Sequence, residues 1–357
     1  MKHISVFALS AIMMAQFGAH AAPVTNLNSA GVITNNIATM QHSIMLNTMN
    51  NFGSATNMGA YSDYKTPRDP HEKCPPIYGK MRPYGEYGDD GTVFESGRSG
   101  GEIGPSNYNW FDWQHAQDNV EFKDFDKIKS RYDIISMGFA NEPERINGGY
   151  KQFGGFGGLI IASEKNDVVK TSEMGGFLGL QQAYHLYGFN ITAAGDFGAL
   201  FSDAKSAPGK YSFSNFWLGA GLNASYDIKL AESFILQPGV YGGYTWIYSK
   251  GYQTETGDSI SIDSLNNLEV SPSLRAITRF GEGWYATLSG RYVFNFESGG
   301  DAKIAGATIP ELELMDYAEY GVGIEKNTDR FGIGVSLNRR DGGRTGWIGE
   351  LNIKYIF

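Results

Sequence analysis

The sequence predicts an all-β fold: a twelve-stranded antiparallel transmembrane β-barrel behind a short N-terminal helical and linker segment. Three observations predict it. Long segments alternate apolar with small or polar residues at a period of two, the pattern of strands with unlike faces. These runs reach 11 to 17 residues, whereas strands of globular proteins are about 5–6 residues long. Connections between them tend to alternate short and long, as turns and loops on the two sides of a membrane barrel do.

Composition agrees. Glycine supplies 47 of 357 residues, and charged residues are 19%, against typical values of about 7% and about 25%. The mean hydropathy of −0.30 is too polar for a bundle of membrane helices. A net charge of −9 argues against a nucleic-acid partner, since phosphate binding needs clustered Lys and Arg. The one cysteine, Cys74, can make neither an internal disulfide nor a cysteine-based zinc cluster. The sequence implies no cofactor or metal.

The chain opens with a basic Met1-Lys2-His3, an apolar run from Ile4 to Phe17, and the small-x-small site Ala19-His20-Ala21. Residues 1–21 therefore read as a cleaved signal peptide, with the mature chain starting at Ala22 and the secretion translocon as a partner. The apolar run is shorter than the ~20 residues of a spanning helix.

Residues 22–76 read as a linker. From Ala22 to Ser62 there is no Asp, Glu, Lys or Arg. Ile33, Ile37, Met40 and Ile44 recur at helical spacing and predict a weakly amphipathic helix over roughly 29–50. Pro67, Pro70, Pro75 and Pro76 then break the chain. Two readings stand: a mobile tail with a marginal helix, or a helix threaded into a pore, where lack of charge helps.

Residues 77–357 read as the barrel, with strands near 77–88, 131–141, 150–163, 173–184, 188–202, 213–230, 234–250, 267–280, 284–298, 315–325, 329–339 and 345–357. In the last, Trp347, Gly349, Leu351, Ile353, Tyr355 and Phe357 share one face, and Glu350 and Lys354 lie on the other. Likewise Trp284, Leu288, Tyr292, Phe294 and Phe296 oppose Thr287, Ser289, Arg291 and Asn295. An apolar outer band, aromatic girdles and a polar lumen give this pattern. The sheet must close, because each unpaired backbone group in hydrocarbon costs several kcal/mol. The partner of the outer face is outer-membrane lipid, and the barrel is expected to be monomeric.

Inward glycines such as Gly219, Gly221 and Gly243 leave room in the lumen. Lumen charges are mixed: Arg275, Arg279, Arg291 and Lys354 against Glu319 and Glu350. Strong ion selectivity is not implied, and Glu319 and Glu350 are expected to pair with lumen Arg or Lys. The segment 89–130 reads as a long first outer loop, in which His115 sits among Asp112, Asp118 and several aromatics. No GxSxG, HExxH or P-loop pattern occurs, and the reading is of a protein that is not an enzyme.

Residues 77–357 resemble the translocator β-domain of autotransporters, the type V secretion proteins of Gram-negative outer membranes. The resemblance rests on Tyr317–Ile324, Arg330–Val335 and Gly346–Phe357, with the 268–296 hairpin in support. Terminal Phe357, with Leu351, Ile353 and Tyr355 at alternating positions, matches the recognition signal for the barrel-assembly machinery. The resemblance implies an exported passenger ahead of the barrel and a linker helix in the pore. Some members cut that helix at an Asn-Asn pair; Asn35-Asn36 and Asn50-Asn51 occur here, in a stretch rich in Asn. The chain departs from the family in having only residues 22–76 before the barrel, without visible solenoid repeats. The function implied is anchoring, export or display of a short N-terminal segment; the alternative is a passive outer-membrane channel or a structural barrel.

Overall fold

A computed structural model describes Thr34, residues 37–50 and residues 107–356, except 124, 167–168, 207–208, 254–256, 258, 305–306, 310–312 and 329. Residues 37–50 are helical. The strands are β1 (Tyr108–Phe122), β2 (Phe125–Ala140), β3 (Glu144–Ile146), β4 (Gly149–Lys165), β5 (Val169–Leu186), β6 (Phe189–Ser206), β7 (Gly209–Tyr226), β8 (Ile228–Ala231), β9 (Phe234–Ser249), β10 (Tyr252–Gln253), β11 (Ser259–Ile262), β12 (Leu265–Gly281), β13 (Trp284–Gly299), β14 (Ala302–Ile304), β15 (Ala307–Ile309), β16 (Tyr317–Asn327), β17 (Phe331–Gly342) and β18 (Arg344–Ile356). The six short ones are β3, β8, β10, β11, β14 and β15. The other twelve form one antiparallel barrel, closed by β1 against β18 from Tyr108↔Ile356 to Val120↔Arg344. Closure leaves no open edge among them, as a lipid environment requires.

The outer surface is apolar over most of the circumference. Leu159, Leu178, Phe197, Leu218, Leu288 and Val322, from six strands, each expose more than half their surface. A soluble protein rarely leaves so continuous an apolar band open; hydrocarbon is its natural solvent. Aromatic residues lie toward both ends: Phe189 against Tyr226 and Phe280 against Trp284 at one end, Trp246 against Tyr248 at the other. These are interfacial girdles.

The two ends differ. The end holding both barrel termini is joined by short links such as 187–188, 282–283 and 328–330. The opposite end carries the long connections 250–264 and 300–316. By the rule of short inner turns and long outer loops, the second end faces outward. The two long connections build a four-stranded sheet, β10-β11-β14-β15. Lys303 of one bonds Asp263 of the other at 2.5 Å, and this bond raises the lysine pKa. Tyr252 stacks on Tyr211 and Phe213, which fastens the sheet to β7.

The sequence reading is corrected at the start of the barrel. Its strand at 77–88 lies outside the described residues. Its outer loop over 89–130 contains β1 and the start of β2, and β1 is bonded on both sides. The inward face of β1 mixes Tyr108 and Trp110 with Asp112, Gln114 and Asp118, and its outward face mixes Trp113 with Gln117 and Asn119. Neither face is cleanly apolar, so the period-two signal is hidden. His115 is not in a loop cluster with Asp112 and Asp118: they point inward and it points outward, bonded to Asp133 at 2.8 Å. The lumen is also less polar than expected. On β4 to β7 the inner face carries Phe156, Ile160, Phe177, Leu200 and Trp217, all buried.

Candidate functional site: a helix held in the barrel lumen

The polar and apolar side chains that fill the bore come from the barrel and from residues 37–50. Every described side chain from Ile37 to Met45 is buried, on all sides of the helix. Ile37, Met40, Ile44, Met45 and Met49 join one apolar cluster with Tyr132, Phe177, Leu200, Trp217 and Tyr241 of the wall. A helix buried all round cannot carry charge without a partner for each charge. This explains why the segment has none.

The uncharged polar groups of the helix are bonded to the wall. Gln41 Nε2 donates to Asp196 Oδ1 at 2.9 Å, while its Oε1 accepts from the Thr245 hydroxyl. His42 sits between Tyr241 OH, 2.9 Å from Nδ1, and Asn267 Oδ1, 2.7 Å from Nε2. Asn47 Nδ2 donates to Asp112 Oδ1 at 2.6 Å. Each such bond contributes about 1 kcal/mol net, and leaving a buried partner unmade costs more. Together they fix the rotation of the helix as well as its depth.

Glycine leaves room on the wall for the side chains of the helix. A Cβ on Gly219 would collide with the Gln41 amide and with Asp196, and one on Gly221 would meet Met45 and Met49. The inward glycines of β7 are therefore the socket into which the helix fits.

The helix has a direction. Thr34 Oγ1 lies 3.1 Å from Ser249 Oγ, at the end of β9 that leads into an outer loop. Asn47 touches Asp112, near the inner start of β1. The chain thus enters the bore from the outer mouth and leaves it inward. At 1.5 Å per residue the fourteen residues of 37–50 span about 21 Å, much of a hydrocarbon core of about 30 Å.

Beside the helix runs a charge network. Arg340, fully buried, gives Nη1 to Asp118 Oδ2 at 2.6 Å and Nε to Glu319 Oε2 at 2.9 Å. It also reaches Tyr132 OH at 3.0 Å and Ser43 of the helix at 3.4 Å. Arg344 adds a second cation to Asp118 at 3.2 Å, and Arg291 bridges Glu319 and Glu269 at 3.1 and 3.4 Å. Alternation marks Arg291 and Glu319 as lumen charges, does not mark Arg340 or Arg344, and places Asp118 in an outer loop beside His115. Arg340 and Arg344 stand at a short outer hairpin that reads as a turn.

The other expected lumen charges are dispersed. Arg275 Nη1 approaches Gln237 Oε1 at 3.5 Å, and Lys354 lies 3.8 Å from Glu325. Glu350 differs from expectation: it accepts from Ser336 Oγ at 2.7 Å and Gln114 Nε2 at 3.1 Å, both neutral donors. Arg279 is half-buried on β12 beside the inner turn. Tyr355 is exposed on the outer face, with Leu351 and Ile353 half-buried on the same face. Phe357 and Ala19, Ala21 and Ala22 lie outside the described residues.

Below the helix the bore opens into a polar cavity of about 220 Å³, lined by Asn47, Asn50, Arg275, Arg291, Glu350 and Lys354. Asn51, the other half of the Asn-Asn pair, lies outside the described residues. Among the described residues no three His, Cys, Asp or Glu are grouped to hold a metal ion.

No protein-family profile matches the chain, and no curated protein matches its sequence. Solved structures do match its shape. The transport unit of the autotransporter AIDA-I from Escherichia coli is similar at a TM-score of 0.60 and 14% identity, over 70% of this chain and 90% of that one. The β-domain of the Bordetella autotransporter BrkA is similar at 0.58 and 14%, over 71% of this chain and 100% of that one. The translocator domain of NalP from Neisseria meningitidis gives 0.59 and 11%, over 71% and 89%. The fold is that of an autotransporter translocator domain, and a barrel with this apolar belt is at home in an outer membrane.

Proposed function

We propose that this barrel is a translocator that delivers the segment ahead of residue 37 to the cell surface and then retains residues 37–50 as its plug. One observation carries the reading: the helix runs through the bore from the outer mouth inward. A chain in that orientation has its preceding residues on the outer side. The uncharged stretch from Ala22 to Ser62 suits passage through a narrow bore, since no ionised group would need desolvation. On this reading residues 1–21 are the export signal read by the secretion translocon, with Ala19, Ala21 and Ala22 around the cut. Residues 22–76 are the carried and plugging segment, and the strands of the barrel domain run from Tyr108 to Ile356. Leu351, Ile353, Tyr355 and Phe357 serve insertion by the barrel-assembly machinery. The barrel holds and passes chain and catalyses nothing.

An epitope tag placed after residue 25 tests this. Antibody applied to intact cells should bind the tag, and externally added protease should remove it while leaving the barrel whole. A tag that is reached only after the outer membrane is permeabilised would refute the proposal.

A further inference from the structure

The strand register lines up five lysines that lie far apart in sequence. Lys129 of β2 is opposite Lys165 of β4, Lys165 opposite Lys170 of β5, Lys170 opposite Lys205 of β6, and Lys205 opposite Lys210 of β7. All five are exposed, on the outer face of adjacent strands. At a strand spacing of about 4.8 Å the row is about 19 Å long. Like charges directly opposite one another in a sheet repel, and this chain is acidic overall, with a net charge of −9. Among the described residues, none of the five lysines makes an ion pair or a side-chain hydrogen bond. Of the described carboxylates near the row, Asp203 accepts from Ser212, Asp133 from His115, and Glu121 pairs with Lys127.

The level of the row identifies what would neutralise it. Four residues nearer the membrane on β4, β5 and β6 stand Ile161, Met174 and Phe201, which open the apolar belt there, while β2 and β7 carry Asp133 and Ser214 at that level. Between lie Ser163, Ser172 and Asp203, flanked by Arg131 on β2 and Ser212 on β7. Four residues are about 13 Å along a strand, or about 10 Å in height at a tilt of about 40°. The headgroup layer adds about 5–7 Å to each side of the hydrocarbon, and a lysine stem can bend toward it. The ammonium groups therefore reach the phosphates of the outer leaflet. The arc is one-sided: the long loops at 250–264 and 300–316 stand over the rest of the rim.

We propose that this row is a binding surface for the phosphate groups of outer-leaflet lipid, which holds an annulus of phosphorylated lipid against β2 and β4–β7. The anion removes the repulsion that the register builds in. The proposal depends on the membrane level and the strand register, and not on whether an N-terminal segment is exported.

The test compares the full chain with a variant carrying Lys→Gln at positions 129, 165, 170, 205 and 210, and with the matching Lys→Arg variant. Each is reconstituted in bilayers that contain a bisphosphorylated glycolipid, extracted in mild neutral detergent, and weighed by native mass spectrometry. Folding is checked by the slower migration of heated samples in gels. Wild type and the Arg variant should retain the glycolipid, and added salt should strip it. The Gln variant should lose it, at about fivefold per lysine removed one at a time. A folded Gln variant that retains as much lipid as wild type overturns the proposal. So does wild type that keeps a soluble polyphosphate while releasing the lipid. If the Gln variant fails to fold, the single Lys170→Gln change is measured against the same fivefold expectation, and no loss there overturns the proposal equally.

Discussion

Replacing Arg340 with alanine is expected to lower barrel stability by about 3–5 kcal/mol. The guanidinium is fully buried and is bonded to Asp118, Glu319, Tyr132 and Ser43, with its carbon 5.5 Å from the centre of the Tyr317 ring. Removing one partner of a buried ion network leaves charge in a poorly solvated place, which costs far more than losing an exposed pair. Arg344 remains for Asp118 and Arg291 for Glu319, so the lower end of that range is expected. Urea unfolding in detergent micelles, followed by heat-modifiable migration, measures it. A double change of Arg340→Met with Asp118→Asn should recover part of the loss, because it removes both signs together. A loss below about 1 kcal/mol for the single change would mean that water screens the network as it screens surface pairs.

The second large effect concerns conduction. Deleting residues 22–76 should raise single-channel conductance in planar bilayers severalfold, from a nearly closed state. The helix fills the bore between Gln41 at Asp196 and Asn47 at Asp112, leaving a polar cavity of about 220 Å³ on its inner side. Without it, the socket at Gly219, Gly221 and Gly243 becomes continuous with that cavity. If the intact and shortened chains conduct equally well, the bore is an open channel and the helix is no plug. If both stay closed, Phe156, Phe177 and Trp217 fill the bore by themselves.

The sequence made most of the barrel legible because β12, β13 and β16–β18 have two unlike faces. Trp284, Leu288 and Phe296 are exposed to lipid where alternation puts them, and Arg291 and Glu319 turn inward. Alternation fails where a strand needs no such contrast. In β4, Leu159, Ile160 and Ile161 are all apolar, since lipid lies on one side and the packed helix on the other. In β1, Trp110 serves the interior and Trp113 the exterior, with polar neighbours on both faces. The helix was visible as a period without a destination. Its lack of charge fits a lumen, but the partners that place it there are one or two residues each from distant strands: Asp196, Tyr241, Asn267 and Asp112. Register creates those pairings, as it creates the lysine row, and no local pattern announces them.

The occupied bore is tested most directly by a crosslink. In a Cys74→Ser background, cysteines at Gln41 and Gly219 should form a disulfide in intact outer membranes, because the Gln41 side chain lies where a Gly219 side chain would begin. A pair at Met45 and Gly221 should behave likewise. Bonded and reduced forms differ in gel mobility only if the helix sits in the lumen at this register. A correctly folded barrel in which both thiols stay free and react with maleimide would contradict the account.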